Sequence, residues 1–177
     1  MSQFERAEAN LTIIALQKKG MLGKVDFQKT VYLAEQLGVD LPFAFRWDKL
    51  GPYSFELAHF INQLLARGTF YIDRGTYRVN QRDLDFERLK NLTTIDSEKS
   101  ARLVAFFRSI RNAVRRNHFN IPLFMECLGS LRFIKTSLET SDRDRVFHIL
   151  QQVKPNRTNE FSPMLEEAWT LLERNDL

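Results

Sequence analysis

Thr69-Phe70-Tyr71-Ile72-Asp73-Arg74-Gly75-Thr76-Tyr77-Arg78-Val79 decides the fold. Two short β-prone runs flank Asp73-Arg74-Gly75-Thr76, a hairpin-type turn with its glycine. Working backwards, Leu57, Ile61 and Leu64 recur at helical steps, widened by Ala58 and Leu65, so a helix runs from Ser54 to about Arg67-Gly68. Before it, Leu41-Pro42-Phe43-Ala44-Phe45-Arg46-Trp47 is too aromatic and too short for a helix. It reads as a short strand ending in the Gly51-Pro52 break. A second helix from Asp26, as N-cap, to Gln36 buries Phe27, Val31, Ala34 and Leu37, with Gly38 as its C-cap. Residues 2–19 form the first helix, with Phe4, Ala7, Leu11 and Ile14 on one side and Glu5, Arg6, Glu8 and Lys18 on the other. Helix, helix, short strand, helix, hairpin is the order of a winged helix-turn-helix, whose third helix reads the nucleic acid and whose hairpin is the wing.

The second half changes character. Residues 81–95 are polar and read as one short helix plus a connector. Ser97-Glu98 caps a strong helix to about Asn117, and Pro122 opens another to about Leu138. A further helix starts at Ser141-Asp142 and stops at Pro155, and the last begins around Ser162-Pro163 and carries Leu165, Ala168, Trp169 and Leu172. The expectation is a mainly α protein with a small β-hairpin. Residues 1–80 form a winged-helix-like module packed on a helical domain, 81–177.

Composition narrows the class. A hydrophobic fraction of 44% with 27% charged residues is too apolar for a disordered chain. Fifteen Phe against two Trp and four Tyr point to an aromatic core. No window approaches a membrane span, and Met1-Ser2-Gln3-Phe4-Glu5-Arg6 lacks the pattern of a signal peptide, so a cytoplasmic location is expected. The single cysteine, Cys127, excludes an internal disulfide and reads as a buried structural thiol. The net charge of +4 permits a nucleic-acid partner without demanding one, yet seventeen Arg against nine Lys suits planar contacts to phosphate or carboxylate.

Three blocks carry a resemblance. They are Phe27-Gln28-Lys29-Thr30-Val31-Tyr32-Leu33, then Phe45-Arg46-Trp47-Asp48-Lys49-Leu50-Gly51-Pro52-Tyr53-Ser54 with Leu57, and late in the chain Val153-Lys154-Pro155 with Glu166-Glu167-Ala168-Trp169. Together they resemble the YwgA-type family, which carries a Leu-Gln-Lys-Leu run, a Gly-Pro-aromatic-Ser turn, and Lys-Pro and Glu-Ala-Trp segments. Thr30 stands where that family has Leu, and Leu50 where it has Tyr. The family is similar to the Panacea (toxin–antitoxin-associated) domains. The resemblance therefore implies a small helical regulator of a toxin–antitoxin or phage-defence setting, and no mechanism. Physically, Gly51-Pro52-Tyr53-Ser54 is a strand-to-helix corner, with Ser54 capping the third helix and Tyr53 free to meet a partner.

No catalytic constellation stands out. His59, His118 and His148 lie far apart and match no metal-ligand spacing, and no phosphate-cradling glycine loop or nucleophile elbow occurs. His118 follows Arg115-Arg116-Asn117 at a helix end, where a cation suits the dipole. Asp96-Ser97-Glu98-Lys99 with Asp83 and Asp85 is the nearest pattern to a nuclease site, and it reads as helix capping and solvation. Ser141-Asp142-Arg143-Asp144-Arg145 reads likewise. The expectation is a protein that is not an enzyme and needs no metal or cofactor.

Nucleic acid is the better chemistry. The third helix offers His59, Asn62, Gln63 and Arg67, with Glu56 beside them, and the wing offers Arg74 and Arg78. The first 80 residues carry ten Lys/Arg against eight Asp/Glu, however, so that module is nearly neutral. The densest basic feature is 102–116, where Arg102, Arg108, Arg111, Arg115 and Arg116 meet no acidic residue. Arg108, Arg111 and Arg115 share one face beside Leu103, Phe107, Ile110 and Val114. Either this ridge meets phosphate or an acidic partner, or the last 18 residues, with five acids and one Arg, cover it. Two functions follow: a nucleic-acid-binding regulator acting as a homodimer, or a protein-interaction module that neutralises or adapts a partner.

Overall fold

The computed structural model describes residues 2–82 and 84–177. The protein is mainly helical, with a three-stranded and a two-stranded antiparallel sheet. Helix α1 (Gln3–Lys18) opens with a capping box in which the Ser2 hydroxyl accepts from the Glu5 N–H and Glu5 accepts from Ser2. Lys19 closes it in a left-handed conformation and leads into β1 (Met21–Leu22).

Helix α2 (Gly23–Gln36) starts three residues before the expected cap. Asp26 is not the N-cap but lies buried inside the first turn. It accepts from the Leu22 N–H at 2.7 Å and the Thr30 hydroxyl at 3.1 Å, and it pairs with Lys18 at 3.1 Å. Lys18, expected on the polar face of α1, is therefore buried as well. Gly38, with φ of +92°, lies just past the helix and ends it as expected.

From 41 to 45 the chain alternates, burying Leu41 and Phe43 and exposing Pro42 and Ala44, but it joins no ladder. The ladder comes later: β2 (Arg46–Asp48) pairs with β3 (Gly51–Tyr53) across Lys49-Leu50. The strand expected at 41–47 thus begins at Arg46, and Gly51-Pro52 is the returning strand rather than a break. Pro52 has no N–H to give, and a strand with only one neighbour tolerates it. Ser54 then caps α3 (Phe55–Ala66) by accepting from the Leu57 N–H. The expected hairpin follows as β4 (Phe70–Asp73) and β5 (Thr76–Val79), joined by Arg74 and Gly75 with φ of +47° and +76°, the signs a two-residue hairpin turn demands. Strand β1 pairs with β5, giving the order β1-β5-β4, and the Gly23 N–H donates to the Gly75 carbonyl at 2.9 Å.

Beyond this hairpin come α4 (Phe86–Leu92), capped by Asp85, and α5 (Ser97–Asn117), capped by Asp96 rather than by Ser97-Glu98. Helix α6 (Ile121–Ser137) has Asn120 as cap and Pro122 in its first turn, and α7 (Arg143–Val153) is capped by Asp142. A short helix, α8 (Thr158–Phe161), and a 3-10 turn at Ser162–Met164 precede α9 (Leu165–Arg174), which begins a turn later than the sequence suggests. One buried apolar cluster runs through both halves, from Leu11 and Phe27 to Phe124 and Trp169. Cys127 is fully buried, and burial pushes its thiol above the usual range. Phe55 and Phe86 are the exposed phenylalanines. No helix is long and apolar enough, among the described residues, to cross a membrane.

Candidate nucleic-acid interface

The residues of the third-helix face do not act as one free set. His59, Asn62 and Arg67 are exposed and Gln63 half-buried. His59 and Gln63 hydrogen-bond each other at 3.0 Å, and the Arg67 guanidinium lies 4.3 Å from the Phe4 ring, turned back onto α1. Only Asn62 is left open. Glu56 sits in the first turn, where its own backbone N–H and then the Ser54 hydroxyl hold its carboxyl below the usual range. A fixed negative charge there opposes phosphate. On the β4–β5 hairpin, Arg74 occupies the exposed turn, whereas Arg78 pairs with Asp73 at 3.4 Å. Tyr53 is half-buried, its ring 5.0 Å from Phe55 in a T-shaped pair.

Helix α5 is different. It buries Leu103, Phe106, Phe107, Ile110, Ala113 and Val114 and presents Arg108, Arg115 and Arg116 to solvent, with Arg111 half-buried. Arg108 and Arg115 make no ion pair among the described residues, and one Arg111 guanidinium nitrogen is buried without a hydrogen-bond partner. The acidic helix α9 reaches only one end of the ridge: Glu167 takes two hydrogen bonds from Arg116, at 2.7 and 2.6 Å. Its neighbour Glu166 turns instead to Arg143 at 3.1 Å. His118, at the end of α5, is its left-handed C-cap residue.

The acids of the nuclease-like pattern are dispersed. Asp85 and Asp96 cap two different helices, and Asp83 lies outside the described residues. No group of three or more potential metal ligands occurs among the described residues.

The structure also gathers a polar cluster that the helical periodicity did not reveal. Lys29 is 1% exposed, and its Nζ donates to the Pro52 carbonyl at 2.6 Å. Gln28 exchanges two hydrogen bonds with the Ser54 backbone, at 3.0 and 2.9 Å. Lys154 donates to buried Glu126 at 2.8 Å and to the Lys49 carbonyl at 2.9 Å, while Arg157 pairs with the other Glu126 oxygen at 3.4 Å. The Lys29 stem lies along Gly129 of α6, where a Cβ would come within 3.0 Å of it. A Cβ on Gly51 would collide with the buried Ser130 hydroxyl. Burial, and next the charge of Lys154, push the Lys29 amine down to about 7, against the pull of Glu126 and Asp48.

All three blocks that carry the resemblance contribute to this cluster. Its chemistry is that of a brace: Lys29, Gln28 and Lys154 bond to the backbone of Pro52, Ser54 and Lys49, fixing the 46–54 hairpin and with it the cap of α3. The signal available in sequence was Gln28-Lys29 itself, two polar residues between Phe27 and Val31 of the buried stripe.

No family model, curated protein or solved structure matches this chain.

Proposed function

We propose that the protein is a non-enzymatic, cytoplasmic nucleic-acid-binding regulator of a toxin–antitoxin or phage-defence system, acting as a homodimer and gripping phosphate through α5. The observation that carries this reading is the state of the ridge. Arg108 and Arg115 are exposed on a helix without an acid from 99 to 117, and the acidic α9 leaves both unpaired among the described residues. Cations that no carboxylate neutralises lower the cost of bringing a polyanion close, and released counterions drive the association. The wing supports it: Arg74 stands at the tip of a hairpin that follows α3, the winged-helix arrangement. The test is the salt dependence of affinity for an arbitrary oligonucleotide. The expected result is a falling line of log affinity against log salt with a slope of about 2 or steeper, one unit for each phosphate held. Binding that ignores salt removes the reading.

A second reading, a protein-interaction module that neutralises or tethers a partner, rests on Phe55. This ring opens α3 at 73% exposure, edge-on to Tyr53, where a base-reading helix would present polar groups. A protein bound stoichiometrically after nuclease treatment, and lost in Phe55→Ser, favours it.

A further inference from the structure

The outer face of the wing sheet carries an aromatic ring framed by cations. In the β4–β5 ladder Tyr71 is the direct partner of Arg78, so both side chains stand on one face. That face is opposite to Phe70, Tyr77 and Val79, which enter the core. The next position across the sheet is Gly20, which has no side chain. The Arg78 guanidinium extends over it, since a Cβ on Gly20 would lie 3.6 Å from Nη1. Lys19, turned outwards by its left-handed φ of 66°, borders the same spot, as does Gln81. Together these residues line an open depression of about 190 Å³ with the 47%-exposed Tyr71 ring on its wall.

We propose that this depression is a stacking site for an unpaired base, so that the nucleic acid this protein holds is single-stranded. The proposal rests on the nucleic-acid reading above and narrows it. A ring standing free beside cations has a partner of matching chemistry in a base whose face is exposed and whose phosphates lie within reach of Lys19 and Arg78. A duplex offers edges and phosphates, but its base faces are hidden in the stack. The Asp73 carboxylate competes for Arg78, yet both partners are more than 40% exposed, at 43% and 49%, and such a pair is weak and exchangeable. The site also lies next to the ridge. Gln17 Nε2, two residues before Lys19, donates to Ser100 Oγ at 2.7 Å, two residues before Arg102. A strand seated on Tyr71 would pass directly to the start of the acid-free stretch of α5.

The test is fluorescence anisotropy of the full chain with labelled oligothymidine, oligouridine and a mixed-sequence duplex. Wild type is expected to hold the single strands more tightly than the duplex. Tyr71→Ala should weaken single-strand binding about tenfold and leave the duplex unchanged, while Tyr71→Phe, which keeps the ring, should bind as wild type does. Matching thermal melts of the two variants exclude misfolding as the cause. A preference between oligothymidine and oligouridine reflects the sugar and the thymine methyl together, and either direction supports the proposal. If Tyr71→Ala binds single strands like wild type, stacking is overturned while the phosphate reading stands. If neither single strand nor duplex binds at all, both fall together.

Discussion

Lys29 in α2 donates its Nζ proton to the carbonyl of Pro52 at 2.6 Å, closing a helix onto the inner strand of the hairpin that leads into α3. The geometry is possible because Gly129 leaves α6 flat under the lysine stem and Gly51 leaves room for the Ser130 hydroxyl. A charged amine so deeply buried carries a desolvation cost, and that cost depends on pH.

Lys29 therefore gives the first prediction. Its folded pKa, about 7, lies below its ordinary 10.5. Below about pH 7 both folded and unfolded chains hold the proton, and the full cost is present. Between the two values only the unfolded chain holds it, so stability rises with pH, by at most about 1.4 kcal/mol per unit. Urea titrations from about pH 6 to about pH 9 should show this rise in wild type and not in Lys29→Met. Parallel curves for the two would mean that the amine is not perturbed.

Glu35, half-buried in α2, should act with the opposite sign. Burial, and next the charge of Asp40, raise its carboxyl from 4.5 to about 7. Between those values the folded chain holds a proton that the unfolded chain has released. Stability from this group is thus present at low pH and lost as pH rises through about 7. In Glu35→Gln that decline should flatten. Thermal melts across this window read it out, and an unchanged slope would refute the assignment.

The Glu126–Lys154 pair, 3% and 4% exposed, predicts a strong asymmetry between single and double replacements. Glu126→Gln leaves a buried ammonium facing Arg157 without its carboxylate, and should cost about 3–5 kcal/mol. Glu126→Leu combined with Lys154→Met removes both charges and should recover most of that loss. A double variant as unstable as the single one would show that the hydrogen bond from Lys154 to the Lys49 carbonyl, not charge neutralisation, is what matters.

What was legible in the sequence follows local rules. The hairpin turn needs positive φ at two successive positions; Gly75 adopts one without steric cost and marks the turn in the sequence, while Arg74 adopts the other. Helix α3 announced itself through Leu57, Ile61 and Leu64, all of which are buried. Helix α2 hid its role because it is enclosed on all sides from Asp26 to Ala34. The helical period gives Gln28 and Lys29 no role, because their partners at Pro52 and Ser54 lie far away in the chain. The 46–53 hairpin was missed for a related reason: Gly51-Pro52 looks like a terminator unless the position opposite Trp47 needs no N–H. For the candidate interface, sequence spacing located the exposed arginines of α5, but not the turning of Arg67 onto Phe4 or the pairing of Arg78 with Asp73.

The ridge itself separates a binding role from an internal one. Arg108, Arg111 and Arg115 have no carboxylate at three or four positions away in α5, so the helix cannot neutralise them locally. Arg116 has Glu167 of α9. Replacing the first three together with Gln should weaken binding to any sequence alike and flatten its salt dependence by about one unit per lost phosphate contact. Arg116→Gln should do the reverse: it removes an ion pair whose arginine is exposed and whose glutamate is half-buried, costs about 1 kcal/mol of stability, and leaves the salt slope nearly unchanged. Anisotropy at several salt concentrations, with melts of the same proteins, gives both readouts. If the triple variant melts much earlier and binds normally, the arginines hold the fold together instead. If it melts and binds as wild type does, phosphate is not what the ridge is for, and a protein surface takes its place.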